Sequence, residues 1–416
     1  MSMNGKIVKV SGSVIGIQGL PGAKMGDTVY LGADRIVGEV TQLTRNMVWA
    51  LAFEIIDGLK PGDPAEWTDV PLTMELGPGL LGGAYDGLGR SLDALYAKTG
   101  DTITAGAEVP TLDRTKRWSF NPTVTVGAKV TSGDVIGTVQ ETPSVIHKVM
   151  VPVCISGTVA EVHSGERTVD EVVVIVKAAD GMDHKLTMAQ NWAIRRERPY
   201  KQKHRSETQI QTGVPEIDRH APLALGSSVL LLGEDGGGQA VLKQLLAHSV
   251  GVDVIVYVAC GLSGSACADV LRLCRAQTEP KTVLVLSPCD TEAITQEAAV
   301  HRGRTIASYY RDMGLGAMLI IDDLAGFIGT SSETAGLMGT AAYEGGSPLN
   351  LSGCLAELFA PAGVVTCLGA EKRQGSLSII GALPSEEALE QVEKSLTRIV
   401  STVWNVEDLS GGCAND

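Results

Sequence analysis

Residues 227–250 read SSVLLLGEDGGGQAVLKQLLAHSV. The short branched run Val229–Leu232 has the length of a strand buried on both faces. Glycines follow at 233, 236, 237 and 238, and QAVLKQLLAHSV then carries its apolar residues at helical spacing. Strand, glycine turn and helix in that order begin a parallel α/β layer. The pattern continues downstream: DVIVYVAC (253–260), the helical CADVLRLCRAQ (267–277), TVLVLSP (282–288), the helical EAITQEAAVHRGRTIASYYRDMG (292–314) and AMLIIDD (317–323). Strands alternating with helices predict a parallel sheet covered on both faces, with ligands at the carboxyl ends of its strands. An amphipathic helix is expected over SEEALEQVEKSLTRIVSTVWNVEDL (385–409), whose acidic start suits a helix N-terminus.

Upstream the pattern differs. Residues 1–70 contain short alternating runs, GKIVKVSGSVIGIQGL, DTVYLG, RIVGEVTQL and VWALAFEII, broken by glycines. They predict a small antiparallel barrel or sandwich. A glycine-rich connection and the start of the α/β domain occupy 71–111. Residues 112–198, with HKVMVPVCISGTVAEV and EVVVIVKAADGMDHKLTM, predict a second all-β module. The basic segment RRERPYKQKHRSETQ (195–209) is read as a solvated linker because Glu197 and Glu207 interrupt it. The α/β domain then runs from 199 to 416.

Composition narrows the function. The 416 residues contain 48 acids against 34 Lys and Arg, a net charge of -14, which argues against nucleic acid or anionic lipid as partner. No apolar run approaches the roughly 18 residues of a bilayer span, and the start MSMNGKIVKV lacks a signal-peptide core, so a cytoplasmic protein is expected. The eight cysteines form no CxxC pair. Cys260, Cys267 and Cys274, spaced by seven, read as a buried helical stripe in preference to a metal row. The seven histidines are scattered without metal-ligand spacing.

Two strand ends carry the candidate chemistry. Gly233 to Ala240 fits the outline G-x-x-x-x-G-K-[ST], a loop whose amides curl around phosphate at a helix N-terminus. The candidate nucleotide-binding residues are therefore Gly233, Gly236, Gly237, Gly238, Gln239 and Ala240. Gln239 stands where the outline has lysine and Ala240 where it has a hydroxyl, so the cation and the magnesium ligand are missing. Glu234 and Asp235 add negative charge; at about 6 Å from a phosphate each would repel it by roughly 3 kcal/mol at an effective dielectric near 20. At the second strand end, Asp322 is the candidate magnesium-orienting carboxylate.

The whole chain resembles the catalytic A subunit of V-type and archaeal-type rotary ATPases. The resemblance rests on GKIVKVSGSVIGIQGLPGAKMGDTVYLG (5–32), IDGLKPGDPAEWTDVPLTMELGPGLLGGAYDGLGRSLD (56–93), RWSFNPTVTVGAKVTSGDVIGTVQET (117–142), HKVMVP (147–152), RPYKQK (198–203), TIASYYRDMG (305–314) and GSLSIIGAL (375–383). It implies an N-terminal β-barrel, an inserted β (bulge) domain and a RecA-like α/β nucleotide domain. It also implies ATP or ADP with Mg as ligands, and a ring with a B-type partner or A-like copies, peripheral to a membrane and coupled to proton or sodium transport. The departures fall on the chemistry. Leu262 occupies the position of the family's catalytic glutamate in C-G-E-R, and Ser263 that of its arginine. After the magnesium aspartate the family reads D-S-T-S-R-W, whereas this sequence reads DDLAGF, retaining only Asp322. The family's helical C-terminal domain is expected to be absent, because the sequence stops shortly after TVWNVEDL.

The expected function is a structural or assembly paralogue that has lost hydrolysis. Two alternatives remain. One is an active ATPase component using a substitute such as Lys243, one helical turn beyond Ala240. The other is a biotinyl- or lipoyl-like carrier in the β insertion, with Lys148 of HKVM as its attachment point.

Overall fold

The computed structural model describes residues 3–233, 237–248, 251–324, 326–329, 343–344, 347–348, 351–383 and 397–406. The alternating N-terminal strands close into a six-stranded barrel. Around it run Met3–Ser11, Val14–Gln18, Val48–Ala52, Ile36–Leu43, Asp27–Leu31 and Pro64–Pro71. Ser11 faces Val14, leaving Gly12 and Ser13 as a two-residue turn, and Gly12 takes the positive φ of 55° that such a turn requires. Ile7, Ile15, Ile17, Val29 and Leu31 fill the interior. Buried Trp67 satisfies its indole N–H by donating to Asp27 Oδ2 at 2.8 Å.

The chain leaves the barrel through Thr73–Leu76, which pairs antiparallel with Gln190–Ala193. That ribbon brackets the inserted module, two four-stranded sheets. One contains Lys129–Val130, Gly157–Val162, Val174–Lys177 and Asp183–Leu186. The other contains Ile146–Met150, Val135–Gln140, Trp118–Pro122 and Gly165–Arg167. Their inward residues, including Phe120, Ile136, Val139, Val159 and Val174, belong to the same apolar cluster as one face of the α/β domain.

The α/β domain is built on a nine-stranded sheet. Seven strands run parallel, in the order Thr402–Asn405, Ser228–Leu232, Gln374–Leu383, Gly316–Ile321, Val254–Cys260, Thr282–Ser287 and Ala84–Asp86. Gly363–Thr366 and Gln202–His204 extend it antiparallel. Alternation along Val254–Cys260 explains why these strands are apolar throughout. Val254, Val256, Val258 and Cys260 pack in one cluster with the helix Ala293–Asp312. Ile255, Tyr257 and Ala259 pack in the other with Leu242, Leu245, Leu246, Cys267 and Val270 of the helices Gly237–His248 and Gly264–Arg275. The sheet is thus covered on both faces, as the sequence predicts.

Three expectations need correction. The helix expected over 385–409 ends differently: residues 384–396 and 407–416 lie outside the described residues, and Thr402–Asn405 is a strand paired with Val229–Leu232. Ladder pairing and the burial of Trp404 outweigh the helical spacing there. The segment 195–209 is no simple solvated linker. Arg195 clamps Glu39 of the barrel through Nε and Nη2 at 2.7 and 2.8 Å, and Glu297 of the long helix through Nη1 at 2.8 Å. Buried Arg198 donates to Asp312 Oδ2 at 2.7 Å, and Gln202–His204 joins the sheet. The cysteine stripe is split. Cys260 sits on a strand, whereas Cys267 and Cys274 sit on the helix Gly264–Arg275, and Cys274 is only half-buried.

Candidate nucleotide site at the strand ends

Register brings the candidate residues to one edge of the sheet. Leu232 lies opposite Leu383, Ile321 opposite Gly381, and Val258 opposite Ile321. Gly233, Asp322 and the Gly261–Leu262 turn therefore leave the sheet from neighbouring strands. Glu234, Asp235 and Gly236 lie outside the described residues.

Gly233 begins the glycine turn, and Gly237 to Ala240 form the first turn of the helix Gly237–His248. Gly233 lies so close to the start of the helix that a Cβ on it would stand 2.8 Å from the Gly238 amide nitrogen. This is the close approach for which glycine is needed. Gly238 is buried, Gln239 half-buried and Ala240 exposed. The first turn thus presents an amide and a methyl where a phosphate loop presents an ammonium and a hydroxyl.

Asp322 follows the strand Gly316–Ile321 directly and is buried. Its Oδ1 accepts from the Cys260 amide at 3.1 Å, and Oδ2 has no hydrogen-bond partner. Burial, reinforced by the charge of neighbouring Asp323, pushes the carboxyl up to about 8, so it is protonated at pH 7. Asp323 turns back on its own loop, accepting from the Gly326 amide at 2.8 Å, and lies beside Gly261. Leu324 packs its side chain on the face of Gly381.

The third strand end is occupied by packing. Leu262 is 7% exposed and belongs to the apolar cluster of Cys267, Val270 and Leu286. Its carbonyl accepts from the Cys289 amide at 2.9 Å, and the Gly261 amide donates to Ser287 O at 2.9 Å. Ser263 caps the helix Gly264–Arg275, its Oγ accepting from the Ala266 amide at 3.3 Å. Ser263, which the resemblance sets at the family's arginine position, is a helix cap, a role the spacing Ser-x-x-Ala alone does not signal.

These groups do not fit a magnesium–triphosphate. The unpartnered Asp322 Oδ2 is the one feature compatible with a cation, and among the described residues no three His, Cys, Asp or Glu side chains are placed to hold a metal. The carrier alternative is also corrected. Lys148 lies within the strand Ile146–Met150 and donates to Met313 O at 2.8 Å, while His147 is buried between Glu141 and Tyr309. No carrier-type exposed turn presents that lysine.

Comparison with known proteins places this architecture. Residues 7–69 match the ATP synthase alpha/beta family, beta-barrel domain; residues 109–195 match the ATPsynthase alpha/beta subunit barrel-sandwich domain; and residues 213–407 match the ATP synthase alpha/beta family, nucleotide-binding domain. The V-type ATP synthase alpha chain of Thermoanaerobacter pseudethanolicus is 38% identical over 413 residues, covering 97% of this chain and 70% of that one. The chain belongs to the V/A-type ATP synthase alpha-chain family, the catalytic A-type subunits. The V-type ATP synthase alpha chain of Acetivibrio thermocellus is 37% identical and that of Clostridioides difficile 36%, each over 413 residues with the same coverage of 97% and 70%. The similarity extends across the barrel, the insert and the α/β domain alike. Among the described residues no helix is long and apolar enough to cross a membrane.

Proposed function

We propose that this member of the family does not hydrolyse ATP and serves as a structural or assembly component. In this reading it takes the catalytic subunit's position beside a B-type partner or A-like copies, in the cytoplasm and peripheral to a membrane. Its barrel ends near residue 70, a connection spans 71–111, the insert spans 112–198, and the nucleotide-type domain follows from 199.

The observation that carries the reading is the state of the third strand end. Leu262 sits buried among apolar side chains at the position that should orient or deprotonate the attacking water, and a leucine side chain can do neither. Gln239 and Ala240 add the loss of the cation and of the hydroxyl, and removal of one preorganised group alone typically lowers a rate by about 10² to 10³. Nucleotide titration and a phosphate-release assay with Mg-ATP test the proposal, each with the chain alone and with a purified B-type partner. Release no faster than from a boiled sample is expected, together with co-purification with the B-type partner. Magnesium-dependent micromolar ATP binding that is lost in Asp322→Ala, accompanied by turnover, overturns it.

A further inference from the structure

A cavity of about 530 Å³ opens at the carboxyl ends of the strands Thr282–Ser287 and Ala84–Asp86. The chain leaving the barrel strand Val48–Ala52 and the helix Gly264–Arg275 close its sides. This is the edge of a parallel sheet at which ligands bind, yet none of Gly233, Gly238, Leu262 and Asp322 lines the cavity. Its wall is mainly apolar. Phe53, Leu92, Leu271 and Leu286 line it, and Ile55 and Ile103 stand at its mouth, 60% and 50% exposed. Large aliphatic side chains left together in water around a concave apolar wall mark a binding site.

The charge on the wall has one sign in excess. Glu54, Asp86, Asp290 and Glu292 line the cavity with a single cation, Arg90. Arg90 holds Glu54 at 2.7 Å and Asp86 at 2.8 Å. Counting also buried Arg302, which donates to Gly87 O of the wall at 2.7 Å, carboxylates outnumber guanidinium groups four to two. Asp290 is exposed and has no basic partner among the described residues, so its charge is open to a ligand.

We propose that this cavity binds a small amphiphilic monoammonium cation, with its apolar body against Phe53, Leu271 and Leu286 and its ammonium group at Asp290. The acidic wall repels an anion, and a neutral ligand leaves Asp290 without a counter-charge. A compact ammonium stays strongly hydrated, which suits a carboxylate at a wet rim. The volume lies within the roughly 300–1,000 Å³ span of small-ligand sites.

The test is isothermal titration of the full chain at pH 7 with hexylammonium chloride, 1-hexanol and sodium hexanoate, which share one chain length. Hexylammonium is expected to saturate one site, with hexanol about tenfold weaker and hexanoate weaker still. Asp290→Asn, at an exposed position, should shrink the preference for hexylammonium over hexanol by about threefold, the scale of a solvent-exposed charge pair. Gly264→Trp, at a wall position where an added Cβ meets no atom within 4 Å, should fill the mouth and weaken hexylammonium binding while circular dichroism stays unchanged. If Gly264→Trp fails to fold, the contrast between the probes in the unaltered chain and the Asp290→Asn result still decide. Equal binding of hexylammonium and hexanol, no saturable hexylammonium binding up to about 10 mM, or a preference undiminished in Asp290→Asn overturns the assignment.

Discussion

Asp322 offers a test that needs no nucleotide. Its carboxyl titrates near 3.8 when exposed and near 8 when folded. The folded state therefore holds a proton that the unfolded state has released throughout that window. Stability contributed by this group is complete below about pH 4 and is lost as pH rises towards 8. The slope within the window is about 1.4 kcal/mol per pH unit. Between pH 5 and pH 7 the loss is thus about 3 kcal/mol. Asp322→Asn keeps the shape and the acceptor for the Cys260 amide but removes the titration. We expect the stability of the unaltered chain, measured relative to Asp322→Asn, to fall by about that amount between the two pH values. Taking the difference cancels the other titrating groups. Urea unfolding followed by tryptophan fluorescence reads it, because Trp404 lies on the strand paired with Ser228–Leu232. A difference that stays constant across pH would mean that Asp322 is ionised in the folded protein, and the account of a neutral, sequestered carboxyl would be wrong.

Three further outcomes follow from packing and burial. In Gly303→Ala, helix propensity alone favours alanine by about 1 kcal/mol, yet the added Cβ would stand 2.2 Å from Val258 Cγ2; the thermal midpoint should therefore fall, reflecting a net loss of roughly 1–3 kcal/mol from overpacking. Burial pushes the Glu141 carboxyl up, but His147 and the Gly79 and Leu81 amides outweigh it and hold the carboxyl below its ordinary value. Glu141→Ala also strands the Tyr310 hydroxyl, so it should lower stability to urea by roughly 3–5 kcal/mol, and Glu141→Gln by less. A maleimide followed by peptide mass mapping should label exposed Cys154 and Cys289 at pH 7.5 and spare Cys260 and Cys367, whose thiols burial both shields and pushes up.

Much of the fold was legible because periodicity carries it. Apolar runs such as Val254–Cys260 have no polar side because both faces of their sheet are covered, and the alternation in residues 5–70 reflects a barrel with one wet surface. What stayed hidden depends on partners distant in sequence. Arg195 looks like part of a charged linker until Glu39, 156 residues away, is seen to receive it. Thr402–Asn405 can be written on a helix or a strand, and only the vacant edge of Ser228–Leu232 decides. Arg302, seated in an amphipathic-looking helix, gives no sign of its burial, because the whole of that helix is enclosed by the sheet, the insert and the barrel.

The candidate site was legible in what it lacks but not in how the lack is accommodated. Removing a catalytic acid from an otherwise unchanged pocket would leave polar neighbours facing one another across a gap. Here the strand end has closed over. Leu262 joins Cys267, Val270 and Leu286, Ser263 caps the helix that Cys267 belongs to, Leu324 covers Gly381, and Asp322 carries a proton. These features support one another. A glutamate placed at 262 would enter an apolar cluster where burial penalises its charge. Reversing one position therefore costs stability before it restores chemistry, and Leu262→Glu alone should yield a less stable protein that still does not turn over ATP. The third strand end is a packed apolar surface, and that packing supports the proposal of a component that occupies a place in an assembly without turning over ATP.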